Sequence, residues 1–128
     1  VTDLPELELP ERRTRGLLRV PYVRRCFLKF ADGQSDEGFT VNLNVMGAYV
    51  ARDALAREGE GVELRFGLPD SEHHVVAQGV VVWINSRQQH PVHSLPVGFG
   101  MRFTELGQED RARIERLVAS HVASQQKR

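Results

Sequence analysis

The 128-residue chain has one cysteine, Cys26, and two lysines against fifteen arginines. A single thiol excludes an internal disulfide framework and a cysteine zinc cluster, so a reducing compartment, by default the cytoplasm, is expected. No apolar run approaches the roughly 20 residues that a helix needs to cross a bilayer, and no secretory pattern opens the chain. Membrane insertion is therefore not expected. Catalytic groups are equally scarce. His73 and His74 are adjacent and would leave opposite faces of a strand, while His90 and His93 form an HxxH without a third ligand at useful spacing. Ser35, Ser71, Ser86 and Ser94 sit outside any G-x-S-x-G elbow, and no glycine pattern opens a helix as phosphate loops do. The sequence predicts neither an enzyme, nor a metal site, nor a cofactor.

What remains is an ordinary globular composition with an uneven charge. Hydrophobic residues at 41% and charged residues at 27% belong to a folded domain rather than a disordered one, and the length suits one domain with one core. The formal net charge is zero, which argues against a general nucleic-acid binder, since such domains are usually basic. Yet residues 1–11 carry −4, residues 12–30 carry +7, and residues 31–128 carry −3. Six arginines and no acid lie between Arg12 and Arg25. Guanidinium is a permanently charged planar fork that grips phosphate and lies flat on rings, so the block points to a compact anionic ligand.

Periodicity divides the chain into an arm, a strand region and a helix. Residues 1–18, interrupted by Pro5 and Pro10, form an N-terminal arm with Leu4, Leu7 and Leu9 as its apolar residues. From Val20 the pattern is strand-like, with Cys26, Leu28 and Phe30 on one face, until the turn-rich "ADGQSDEG". In "FTVNLNV", Val41, Leu43 and Val45 alternate with Thr40, Asn42 and Asn44, which predicts the two asparagines on one outward face. "AYVA" resumes as a strand, and Val62, Leu64 and Phe66 predict another. "HVVAQGVVVWI" is apolar at both parities, with a bend expected at Gly79, and "VGFGMRF" closes the set. Ile114, Leu117, Val118, His121 and Val122 then fall at helical spacing, predicting a helix from about 108 to 123. The expected architecture is mainly β: a six-stranded antiparallel barrel plus C-terminal helix over 19–123, followed by a polar tail at 124–128.

The order of three motifs resembles the PilZ family, which binds cyclic di-GMP. Arg15-Gly16-Leu17-Leu18-Arg19 stands as RxxxR directly before the first strand. Asn42-Leu43-Asn44-Val45-Met46-Gly47 matches (D/N)xSxxG except that Asn44 replaces the serine. Gly98-Phe99-Gly100-Met101-Arg102-Phe103 resembles the family's GxGxxF-like strand, and Trp83 its tryptophan-bearing strand. The resemblance implies that Arg15 and Arg19 hold the phosphates and guanines of cyclic di-GMP. It implies that Asn42 and Asn44 bond a guanine edge, and that Gly47 lets the backbone approach the ligand. Arg12, Arg13 and Arg102 are auxiliary candidates.

By the same resemblance the output is a change of arrangement in the arm, passed to a separate protein effector in motility, pili or exopolysaccharide production. A homodimer is compatible with such an arm. The alternative is a PilZ-like protein-interaction module that has lost the ligand. Binding of single-stranded nucleic acid is not expected, because no row of exposed aromatics is available for base stacking.

Overall fold

The computed structural model describes residues 18–54, 56–69, 71–86 and 95–126. Six strands precede one helix: β1 (Val20–Phe30), β2 (Ser35–Leu43), β3 (Gly47–Ala51), β4 (Gly61–Leu68), β5 (Ser71–Asn85), β6 (Gly98–Leu106) and α1 (Gln108–Gln126). The strands close into a barrel in the order β1-β2-β3-β6-β5-β4, every neighbouring pair antiparallel. Closure between β1 and β4 leaves both of their edges paired, which removes the liability of an open sheet.

The alternation read from the sequence supplies the core. Cys26, Leu28 and Phe30 of β1 point inward with Val62, Leu64 and Phe66 of β4, and Phe99 and Met101 of β6 face them. Fully burying a side chain of this size stabilises the fold by roughly 1.5–3 kcal/mol. From the helix, Ile114 and Val118 join the same cluster, with Leu117 and Val122 packed against it. The helix therefore closes one end of the barrel.

Three sequence expectations need correction. The turn after β1 is confined to 31–34, because Ser35–Gly38 pair with Lys29–Cys26 and continue the ladder; cross-strand bonding outweighs the local turn propensity of "SDEG". The helix runs to Gln126, three residues past Ala123 and into the segment read as a tail.

The third correction bears on the asparagines, since the faces of β2 do not alternate through its end. Pairing shifts between Thr40 and Asn42 against β3, where Val41 is the extra residue, and between Pro21 and Arg24 on β1. Bulges of this kind reset which face a side chain leaves. Thr40 is consequently buried, not outward. Its hydroxyl donates to the Tyr22 carbonyl at 2.6 Å and accepts from the Arg24 N–H at 3.1 Å, filling the gap that the β1 bulge opens.

The expected bend in β5 is present. Register shifts at Gln78/Gly79 and again at Val81/Trp83. A Cβ on Gly79 would stand 2.4 Å from the Arg102 carbonyl oxygen, so β6 crosses too closely there for any side chain.

Beyond Ala77, whose partner is Leu106, β5 has no β6 residue opposite its first half. The helix serves that edge instead. Asp110 accepts from the Val76 N–H at 3.2 Å, and Arg113 donates to the His73 carbonyl while pairing with Asp110 at 3.0 Å. Two side chains thus replace a missing strand.

Candidate ligand-binding site

Where β1 begins, the β2–β3 hairpin tip lies beside it. Asn44 follows the last residue of β2, and its backbone N–H donates to the Gly47 carbonyl at 3.0 Å, closing a tight tip at Val45-Met46. The Asn44 side-chain oxygen accepts from the Met46 N–H at 2.7 Å and the Gly47 N–H at 3.1 Å. A short amide bonding the backbone two and three residues on is a turn-forming arrangement. The Met46 carbonyl in turn accepts from the Phe103 N–H at 2.8 Å, tying the tip to β6.

Asn44 is 3% exposed, so it does not share an outward face with Asn42. The physical reason is the strand end: β2 stops at Leu43, and the chain turns Asn44 into the hairpin. The two asparagines therefore have different surroundings. Asn42 is half-buried at the edge of the outer face and accepts from the Arg19 guanidinium at 3.4 Å, a long contact.

Gly47 is pressed from two sides. A Cβ at this position would stand 2.1 Å from the Met101 carbonyl oxygen and 3.1 Å from Nη2 of Arg19. The absent side chain thus lets β6 approach from one direction and the Arg19 head group lie on the hairpin backbone from the other. Although Arg19 as a residue is exposed, this contact partly desolvates its guanidinium and lowers its pKa from the ordinary arginine value. Even so it stays charged at neutral pH. Directly opposite Gly47 in register is Arg102 of β6, also exposed. Facing residues of an antiparallel pair leave the same side of a sheet, so Arg102 flanks the place where Arg19 lies.

Arg19, Asn42, Gly47 and Arg102 are therefore brought together on the outer wall, with Asn44 beneath them as the turn's brace. Arg12, Arg13 and Arg15 fall outside the described residues, as do His90 and His93. His73 and His74 are exposed, and His74 stacks on Phe27. Among the described residues no three His, Cys, Asp or Glu side chains cluster as metal ligands, and no helix is long and apolar enough to cross a membrane.

Two features escaped the sequence reading. The bracing role of Asn44 has a local signal, an Asn followed three residues later by Gly at a strand end. Tyr49 has no such signal. Although 1% exposed, it lies outside the main core cluster, tilted against Trp83 at 5.6 Å. Its hydroxyl donates to the Pro96 carbonyl.

The fold is thus a closed six-stranded barrel with a cationic, hydrogen-bonding patch around a glycine hairpin on its outer wall. The PilZ domain model matches residues 11–120, and the chain belongs to that family.

Solved structures agree on the fold. The Bacillus subtilis inhibitor of motility, MotI/DgrA, superposes with a TM-score of 0.66 at 17% identity, over 83% of this chain and 50% of that one. This chain thus spans about half of that protein's length. The PilZ domain of CeSA from a cellulose-synthesizing bacterium gives 0.54 at 19% identity, covering 80% of this chain and 95% of that one. The PilZ domain of Escherichia coli YcgR, solved with c-di-GMP, gives 0.60 at 15% identity, covering 86% and 93%. Comparison with curated protein sequences finds no match.

Proposed function

We propose that this protein is a cyclic di-GMP receptor and adaptor, not an enzyme, and that it passes ligand occupancy to a separate protein partner. The observation that carries the reading is the Arg19 guanidinium lying on Gly47 and touching Asn42, with Arg102 alongside. A diguanylate ligand offers two phosphates and two guanine edges. Arginine forks suit both groups, because they bond phosphate oxygens and the O6/N7 edge of guanine bidentately. In this reading Arg15, on the arm of residues 1–18, supplies the second guanidinium and Asn42 bonds a guanine edge. Arg12 and Arg13 add charge. Family membership and the c-di-GMP present in the YcgR structure support the choice of ligand. The motility inhibitor among the structural neighbours supports motility as an output, and the CeSA domain supports cellulose as the other.

Calorimetry with cyclic di-GMP tests this reading. Arg15→Ala and Arg19→Ala should each weaken binding by about 1.5–3 kcal/mol, the value of a charge-assisted bond. Arg116→Ala, exposed on the helix, should leave affinity unchanged. Affinity should also fall with added salt. Equal losses in all three variants would indicate diffuse charge attraction and refute a defined site.

A second reading, a PilZ module that binds protein without nucleotide, is favoured by one feature. Asn44 replaces the motif serine, and its side-chain oxygen is committed to the hairpin. This reading requires a wild-type protein that produces no heat with cyclic di-GMP.

A further inference from the structure

On the outer face of β1 and β4, groups that attract one another stand opposite each other in register. Lys29 faces Glu63, and Phe27 faces Arg65. Facing residues of an antiparallel pair leave the same side of a sheet, so all four lie on one wall. Phe27 is 42% exposed, and Phe39 on neighbouring β2 is 47% exposed. A groove of about 810 Å³ runs along this wall, lined by Phe27, Lys29, Ser35, Glu37, Glu63 and Arg65 among others.

The charges of the wall alternate in sign instead of adding up. Arg25, Lys29 and Arg65 are interleaved with Glu37 and Glu63, while Asp36 is held by Arg52 at 2.6 Å. Within one chain they engage weakly. Arg25–Glu37 at 3.7 Å and Arg65–Glu63 at 3.6 Å are long, and both arginines are more than half exposed, so each pair contributes little. Among the described residues Lys29 makes no ion pair, although Glu63 lies opposite it. A wall of mixed sign exerts little pull on a partner of one sign. It fits a surface with the same alternation.

We propose that this wall pairs with itself in a second copy of the chain, around a two-fold axis that runs between β1 and β4 along the strands. An axis lying between two such walls sets β1 of one copy over β4 of the other. It thereby exchanges the members of every in-register pair. Lys29 meets Glu63 of the other copy, and the Phe27 ring meets the guanidinium of Arg65, an attractive contact in its own right. Each contact occurs twice, as an isologous interface requires. The strands of the two copies stay aligned, a common way for two sheets to pack.

The flanking strands agree with this axis, because it sets β2 of one copy over β5 of the other. Ser35 shares a row with Lys29, and Gln78 with Glu63, so Ser35 comes opposite Gln78. Glu37 comes opposite Val76, which pairs with Arg65. In the next row Arg25 comes over Gly67, which has no side chain, and Phe39 comes over His74, the neighbour of Gly67. No like charges oppose each other. A convex barrel wall brings only these few strands into contact, less than the roughly 1,200 Å² of a standard interface. The dimer should therefore dissociate on dilution. Arg19, Gly47 and Arg102 lie outside the strip, so pairing does not depend on any nucleotide.

Sedimentation velocity on the full chain without nucleotide tests the proposal. The wild type should pass from two chains toward one on dilution. Lys29→Glu and Glu63→Lys, with folding confirmed by preserved amide spectra, should each weaken association by about tenfold or more, because either variant paired with itself opposes like charges twice. Mixed in equal amounts, the two variants should associate again, since each supplies the charge that the other lacks. Repair inside one chain cannot produce that recovery, because neither chain carries both changes. Phe27→Ala, which leaves every charge in place, should also weaken the dimer. A wild type that remains a single chain up to about 1 mM, the limit of a weak complex, would overturn the proposal. So would a dimer indifferent to both charge reversals, or a mixture of the two variants that stays monomeric.

Discussion

The guanidinium of Arg19 lies on the backbone of Gly47, with Nη2 3.1 Å from the point where a side chain at 47 would begin. This contact joins the strand that starts at Val20 to the hairpin that ends β2, and it makes the glycine a floor for the arginine. The same glycine faces the Met101 carbonyl, so its position is constrained from below as well.

Gly47→Ala should therefore destabilise the fold by about 1–3 kcal/mol, the usual cost of forcing an extra carbon into a packed site. The near atom is backbone, which cannot swing aside. Urea unfolding would show the loss as a lower midpoint with an unchanged slope. An alanine variant as stable as the wild type would show that β6 can withdraw, and the floor would lose its basis.

Asn44 is expected to act on stability before it acts on ligand. Asn44→Ala removes the acceptor for the Met46 and Gly47 N–H groups and should cost about 1–3 kcal/mol, the penalty for orphaned donors. Asn44→Asp keeps the acceptor and should stay close to wild type. Asn44→Ser can form the weaker hydroxyl turn and should change both stability and cyclic di-GMP affinity by about 1 kcal/mol or less. If the serine variant alone binds the nucleotide, the Asn44 amide blocks the site and the non-binding reading holds.

On the β5 edge, Arg113→Met should detach the helix's first turns from the strand. The substitution leaves the His73 carbonyl and the Asp110 carboxylate without their partner. The cost should be about 3 kcal/mol, the low end for a broken buried pair, because Asp110 keeps some solvent contact. Hydrogen exchange at the Val76 amide, which Asp110 accepts from, should accelerate with it. Unchanged protection at Val76 would mean that the clamp is incidental to the edge.

Cys26 should be inert in the native state. Burial raises its thiol to about 12, so alkylation near pH 8 should proceed only as fast as the protein unfolds. The sign of the pH effect follows. A raised folded-state value stabilises fully below the unfolded thiol's value of about 8.5 and is lost as pH climbs toward the folded value. Stability should therefore decline on the alkaline side, less steeply in Cys26→Ala. Rapid alkylation of folded protein would contradict the burial.

The legible part of the molecule was its local periodicity. Alternation at Cys26, Leu28 and Phe30, and at Val62, Leu64 and Phe66, identified inward faces because a strand's faces repeat every two residues whatever lies opposite. The change of spacing after Phe103 marked the helix for the same reason. The motif residues Arg19, Asn42, Gly47 and Arg102 could be named from their order along the chain, and they meet on one wall of the barrel.

What only the tertiary structure decided was register. Whether Thr40 faces the core or the solvent depends on how many residues β1 and β3 set against it, and a one-residue bulge reverses the answer. Asn44 became a buried brace rather than an outward ligand group because β2 ends one residue before it. Arg113 and Asp110 hold the β5 edge only because β6 stops at Leu106 and leaves part of β5 without a partner strand. Sequence by itself determined the faces and their order, since those follow from spacing along one chain. Pairing between strands is non-local, and it alone determined which side chains stand at the site and which hold it in place.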